Sequence, residues 1–354
     1  MVCREMMNNI ILSEIAKKII KNILQVKPGQ TVTIFAEIHN ISDPSDPLEE
    51  IYIVEEFAIQ LRKHRALAVL DISTENLHRR VVTEIFEDNN QTLPELFNIW
   101  QKTSDYFIDI SWRSSPSFYK SIPEGHFQKI SDLSDFYIRQ MEKNNKRIIL
   151  LGAPTKCLSK YYNIDHDVLI EAYLSALNTD YFSLKQNCLI FKGKIIENEG
   201  WQITTENRTL NLDLIGHSKC YYGEFSNYPI LSLPTGYWEQ EINLSSINGI
   251  FYCDYVYYDD NIWRNVQLIF EKGNIVDIET DIKQKNIYFL KSIIHSDFKT
   301  AILKFGLNNS IQKMSLYSLF DVIKFPNLSI CMTSHKGEFI FLSEKSEFVT
   351  QKNS

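Results

Sequence analysis

The sequence predicts two domains: an α/β domain with a parallel sheet over residues 1–185, and a mainly antiparallel β domain over residues 186–354. Three observations carry this expectation. Strand-like and helix-like apolar segments alternate through the first half, the pattern of βαβ units. After about residue 185 short runs rich in tyrosine and β-branched residues take over, punctuated by Gly and Asn. The length, 354 residues, suits about two domains at roughly 100–200 residues each.

Each element has its own reason. Ser13 is placed to cap a helix in which Ile15, Ile19, Ile20, Ile23 and Leu24 recur at helical spacing. Val26-Lys27-Pro28-Gly29-Gln30 ends it, and residues 31–38 read as a strand. A helix follows over residues 47–65, with Ile51, Val54, Phe57, Ala58 and Leu61 on one face, then a strand over 66–72. The alternation continues as helix 93–102, strand 106–110, helix 132–143 and strand 147–152. In the second half, strands are expected at 188–191, 200–205, 210–215, 249–257, 266–270, 275–279, 328–332 and 338–342. A helix is expected over 282–292. Residues 266–276 read as a hairpin turning at Lys272-Gly273-Asn274.

Composition excludes several classes of function. With 44 acidic and 37 basic side chains, net charge -7, the chain has no general field for nucleic acid. No run approaches the roughly 18 apolar residues of a membrane span. The first segment is broken by Glu14, Lys17 and Lys18 and lacks a small-residue cleavage site, so it is no secretory signal and a cytoplasmic protein is expected. The six cysteines form no Cys-x-x-Cys, so isolated buried thiols are expected rather than a zinc ribbon or a redox dithiol. Gly29, Gly125 and Gly152 stand alone, and no nucleotide loop or nucleophile elbow occurs.

Four stretches share an order and a spacing. They are the first helix with Val26-Lys27-Pro28-Gly29-Gln30-Thr31-Val32; Leu151-Gly152-Ala153-Pro154-Thr155; Arg208-Thr209-Leu210-Asn211-Leu212 through Gly216-His217; and Leu231-Ser232-Leu233-Pro234-Thr235-Gly236 with Ile247-Asn248-Gly249. In these the chain resembles, over about residues 20–345, the thermophilic aminopeptidases of the M29 family of metallopeptidases. The resemblance implies a two-domain homodimer that binds two metal ions and removes N-terminal residues from peptides. Two adjacent metals polarise the scissile carbonyl and activate water, which requires carboxylates and imidazoles converging on one point.

The positions that match those ligands carry other residues. Tyr237 stands where the family's first Glu follows Pro-x-Gly. Glu239 and Glu241 share its strand face, but a ligand moved one pleat along is displaced by about 6–7 Å. Ile302 replaces the Glu of Glu-x-Gly-Ile-Gly-x-Asn, and Lys304 brings a cation beside it. Asn327-Leu328-Ser329-Ile330 lacks the His of Gly-Thr-x-His. The closing His-x-Asp falls on Lys336-Gly337-Glu338, with His335 one place early. No two-metal centre of the family type, no metal and no cofactor is therefore expected. The candidate cleft comprises Tyr237, Trp238, Glu239, Glu241, Ile302, Lys304, His335 and Glu338, with no catalytic residue assigned, and the resemblance puts Tyr221-Tyr222 near it.

Other clusters carry rival readings. His335 with Glu338 is either an acid/base pair or the polar tip of a hairpin. Asp165-His166-Asp167 fits a helix cap better than a metal cluster. His295-Ser296-Asp297 has His-x-Asp spacing at a helix end. Tyr252, Tyr255, Tyr257, Tyr258 and Trp263 are either a partner-binding face or cross-strand packing.

The expected function is that of a degenerate aminopeptidase-like protein, a pseudoenzyme that binds a peptide or peptide-like molecule without two-metal hydrolysis. It would serve as a partner in peptide maturation or specialised-metabolite biosynthesis, as a homodimer, without nucleic acid or membrane. One alternative is an active aminopeptidase with a site rearranged around Glu239, Glu241, His335 and Glu338. The other is a non-hydrolytic enzyme on the same fold.

Overall fold

The computed structural model describes residues 2–38, 50–74, 99–110, 124–194, 200–225, 229–259, 261–280, 287–294, 296–335, 337–344 and 346–350. The chain divides into two units, Met1–Asn178 with Gly223–Pro234, and Thr179–Tyr222 with Thr235–Ser354. Where the sequence suggests one crossing after residue 185, the chain crosses three times.

The first unit is α/β, as expected. Helix α1 (Val2–Lys18) starts well before Ser13 and passes directly into a π-helical turn, Ile19–Ile23. Leu12, Ile15, Ala16, Ile19, Ile20, Ile23 and Leu24 are all buried, which is the stripe the spacing marked out. Strands β1 (Thr31–Ile38), β2 (Leu67–Thr74), β3 (Tyr106–Asp109) and β4 (Arg147–Leu150) pair in parallel in the order β2-β1-β3-β4. Parallel neighbours need a crossover. Helix α2 (Glu50–Lys63) supplies the first, burying Ile53, Val54, Phe57 and Leu61, and α3 (Glu124–Lys143) precedes β4. Helices α4 (Lys156–Tyr161) and α5 (His166–Leu177) follow. Asp165 caps α5, accepting from the backbone N–H of Asp167 and Val168, so this acidic cluster is a cap. His295 lies outside the described residues.

The second unit opens with helix α6 (Tyr181–Lys194), where a strand was expected at 188–191. A short apolar run cannot distinguish a strand from a buried helix by period alone. Here Leu184 and Cys188, four apart, are buried, whereas Leu189 and Ile190 are 46% and 56% exposed, which is helical spacing. The remaining expected strands form, and three more join them. Strands β5 (Gly200–Thr205) and β6 (Arg208–Tyr221) come first. The chain then returns to the first unit, where β7 (Ile230–Ser232) pairs in parallel with β4 as the fifth strand of that sheet.

The second sheet continues with β8 (Tyr237–Ile242), β9 (Asn248–Tyr258), β10 (Asn261–Glu271) and β11 (Asn274–Thr280). After helix α7 (Ile287–Lys291) come β12 (Phe298–Gly306), helix α8 (Ser318–Ile323), β13 (Leu328–Ser334), β14 (Gly337–Ser343) and β15 (Ser346–Thr350). The ten strands run in the order β11-β10-β9-β14-β13-β12-β8-β6-β5-β15, antiparallel throughout, and a further β6–β9 pairing joins strands far apart in that order. The β10–β11 turn is two residues, Lys272-Gly273, with φ of +49° and +82°, because Glu271 pairs directly with Asn274.

One face of this sheet forms the core, with Trp238, Phe251, Trp263, Phe270, Leu303, Ile330, Phe339 and Phe341 buried together. At Gly306, the end of β12, a Cβ would lie 2.1 Å from the carbonyl oxygen of Lys324. Gly306→Ala is therefore expected to lower stability by about 2–4 kcal/mol through forced backbone separation. A denaturant midpoint unchanged from the parent would refute it.

Candidate functional site

The site begins with the turn before β8. Gly236 has φ of +133°, and its Cα approaches the Asn308 side chain so closely that a Cβ there would lie 2.8 Å from Asn308 Cβ. Asn308, fully buried, donates from Nδ2 to the carbonyl of Thr235 at 3.0 Å, and Leu307 N–H donates to the carbonyl of Gly236 at 2.7 Å. The end of the Ile302–Asn308 stretch thus holds Thr235 and Gly236, the two residues that lead into β8.

From there the pleat alternates. Tyr237, Glu239 and Glu241 share one face; Trp238, Gln240 and Ile242 take the other, where all three are buried. Trp238 does not belong to the cleft. It is a core residue, 0% exposed, edge-on to Phe191 at 5.5 Å, because period two turns it away from Tyr237.

Register brings neighbours to the Tyr237 face. On β12, Lys304 lies opposite Glu239 and Ile302 opposite Glu241. On β6, Lys219 lies opposite Glu239 and Tyr221 opposite Tyr237. Tyr221 and Tyr237 stack at 4.5 Å, 18° from parallel. Tyr221 Oη donates to Glu239 Oε1 at 2.8 Å, and Lys304 Nζ stands 5.6 Å from the centre of the Tyr237 ring. Burial, then the negative charge of Glu239, push the Tyr221 hydroxyl pKa up, so it is a donor at neutral pH.

One strand further, Cys331 on β13 lies opposite Ile302, and Ser329 opposite Lys304. Burial pushes the Cys331 thiol up to about 11. Lys304 opposes that shift, while Glu338 and Glu239 add to it. Glu338 therefore belongs to the charge field of this face, although its side chain is exposed. His335 sits in the exposed turn after β13. Tyr221, expected near the cleft, is joined by Lys219 and Cys331, which the expected set does not include. Lys219 is revealed by the β6–β8 register and Cys331 by the β12–β13 register.

The donors present do not fit the two-metal centre that the resemblance implies. Glu239 accepts from Tyr221 and faces lysines on both neighbouring strands, and Ile302 offers no donor. Among the described residues no group of three or more His, Cys, Asp or Glu side chains is placed to hold a metal ion.

A second polar constellation lies at β9. Tyr255 and Tyr257 share a face, as alternation predicts, with rings 6.0 Å apart. Arg264 lies 5.6 Å from the Tyr255 ring. Tyr257 Oη donates to Asp321 Oδ2 at 2.7 Å, and Ser315 donates both N–H and Oγ–H to Asp321 Oδ1 at 2.8 Å. Asp321 is fully buried on α8, and that burial raises its pKa to about 6 despite these bonds. Tyr258 and Trp263 instead pack with Phe289.

No protein-family model matches the chain, and a search of curated proteins finds no match. Among solved structures, the chain is similar to wild-type AmpT from Thermus thermophilus. The TM-score is 0.57, with 11% identity over 96% of this chain and 94% of that one. The likeness extends over nearly the whole of both chains and shows the α/β plus antiparallel β fold predicted from the sequence. Among the described residues no helix is long and apolar enough to cross a membrane.

Proposed function

We propose that this chain is an aminopeptidase-like protein that binds a short peptide or peptide-like molecule on the Tyr237 face, as a homodimer, without two-metal hydrolysis. The AmpT-like fold supports the aminopeptidase-like part. The observation that carries the rest is the Tyr221–Glu239 hydrogen bond beside Lys304, next to Tyr237 and Ile302, the two positions that the resemblance matches to family ligands. A carboxylate accepts several hydrogen bonds, so Glu239 can pair with a peptide's terminal ammonium while it holds Tyr221. Lys304 offers a charge for a carboxylate, and the stacked tyrosines offer a flat surface for side chains.

The test is a titration of the purified protein with a tetrapeptide bearing free termini, alongside mass spectrometry of the peptide incubated with zinc, cobalt or manganese. Binding without release of the first residue is expected. Acetylating the peptide's N-terminus, or Glu239→Gln in the protein, should weaken binding about tenfold. Absence of binding would sink the proposal. Release of N-terminal residues that stops with a chelator would favour the rearranged active site, making Glu241, His335 and Glu338 the next positions to change.

A further inference from the structure

Cysteine spacing gives no hint of a thiol pair, yet the fold makes one. Cys188, on α6, is fully buried. Cys220, at the end of β6, is half-buried and 32 residues away in sequence. Each thiol donates to a backbone carbonyl of the other's segment: Cys220 Sγ–H to that of Cys188 at 3.5 Å, and Cys188 Sγ–H to that of Tyr221, the residue after Cys220, at 4.0 Å. Lys192, one helical turn beyond Cys188, donates to the carbonyl of Ser218 at 3.4 Å, which anchors its ammonium beside β6.

These contacts divide the labour. The neighbouring Cys188 thiol lowers the Cys220 pKa most; burial opposes this and the Lys192 charge adds to the lowering, while the Cys220 side chain and burial raise that of Cys188. Reactive thiols sit in partly exposed, electropositive surroundings of this kind; inert ones are buried in apolar surroundings. Cys253 and Cys331 are of the second kind, fully buried with raised pKa values.

We propose that Cys188 and Cys220 form a reversible dithiol–disulfide site, in which Cys220 attacks a hydroperoxide and Cys188 resolves the product. In the first step the Cys220 thiolate attacks the terminal hydroxyl oxygen of the hydroperoxide. An S–O bond forms, the O–O bond breaks, and the departing alkoxide or hydroxide takes a proton from solvent. In the second, Cys188 gives up its thiol proton and attacks Cys220 Sγ. An S–S bond forms, the S–O bond breaks, and the hydroxyl leaves with that proton as water. Two thiols and one hydroperoxide become one disulfide, one water and one alcohol or second water. An external thiol reverses the bond by exchange. This site does not depend on the peptide-binding reading.

The test treats the full chain with hydrogen peroxide at neutral pH, blocks remaining thiols by alkylation and maps the peptides by mass. A cross-link joining the Cys188 and Cys220 peptides is expected, reversed by dithiothreitol and forming about tenfold faster than oxidation of Cys157, which is also half-exposed. Lys192→Gln should slow it severalfold. Oxidation of Cys220 no faster than that of Cys157 would overturn the proposal. So would conversion of Cys220 to sulfinic acid while Cys188 remains open to alkylation.

Discussion

Trp238→Ala is expected to destabilise the chain by about 3–5 kcal/mol, whereas Tyr237→Ala, one residue earlier, is expected to cost no more than about 1–2 kcal/mol. The two side chains leave the same strand in opposite directions. Trp238 fills the sheet's core among Phe191 and its neighbours, so its removal opens a cavity that the surrounding rings cannot close. Tyr237 is half-buried and loses mainly its stack on Tyr221. Trp238→Phe should recover much of the loss, because Trp238 Nε1–H is buried without a hydrogen-bond partner and takes no bond with it. Urea titrations of the three variants decide the matter. Equal losses for the two alanine variants would contradict the assignment of Trp238 to the core and Tyr237 to the outer face.

The second large effect is a dependence on pH. The buried Asp321 carboxyl has its pKa raised from 3.8 to about 6, chiefly by burial. A raised native pKa means that the folded state holds the proton more tightly than the unfolded one. Its stabilisation is therefore complete below pH 3.8 and is lost as pH rises through about 6. The span corresponds to about 3 kcal/mol. Asp321→Asn keeps an acceptor for Ser315 without the ionisation, and Tyr257 Oη can turn to accept from the amide. Stability of the parent relative to this variant should fall by about 3 kcal/mol across that window and stay level above it. Parallel stability curves for the two proteins from acid to neutral pH would exclude it.

Most of the fold was legible because burial imposes a period. The α1 stripe, the α2 face and the alternating strands each follow from one element packing on one core. What escaped has physical causes. Residues 188–191 are a run of four apolar side chains, too short for period to separate helix from strand. Strand β7 is three residues long and carries no period at all; its place comes from pairing with β4. In the candidate site, the same-face placement of Tyr237, Glu239 and Glu241 was legible from alternation. The same rule excludes Trp238, which proximity in sequence had brought in. Lys219 and Cys331 come from register, which joins residues across strands and leaves no trace in the spacing along any one of them.

The return of the chain to β7 has a consequence for how the protein is made. Strand β4 leaves the ribosome well before β7, with β5 and β6 of the other unit between them. Until β7 arrives, β4 is a parallel edge with its hydrogen-bonding groups open, a surface on which another nascent chain can pair. A polypeptide stalled or cleaved between residues 178 and 222 keeps that edge for good. Translation through residue 232 is thus the point at which the first sheet can be completed, so the N-terminal unit cannot mature ahead of the sequence that interrupts it.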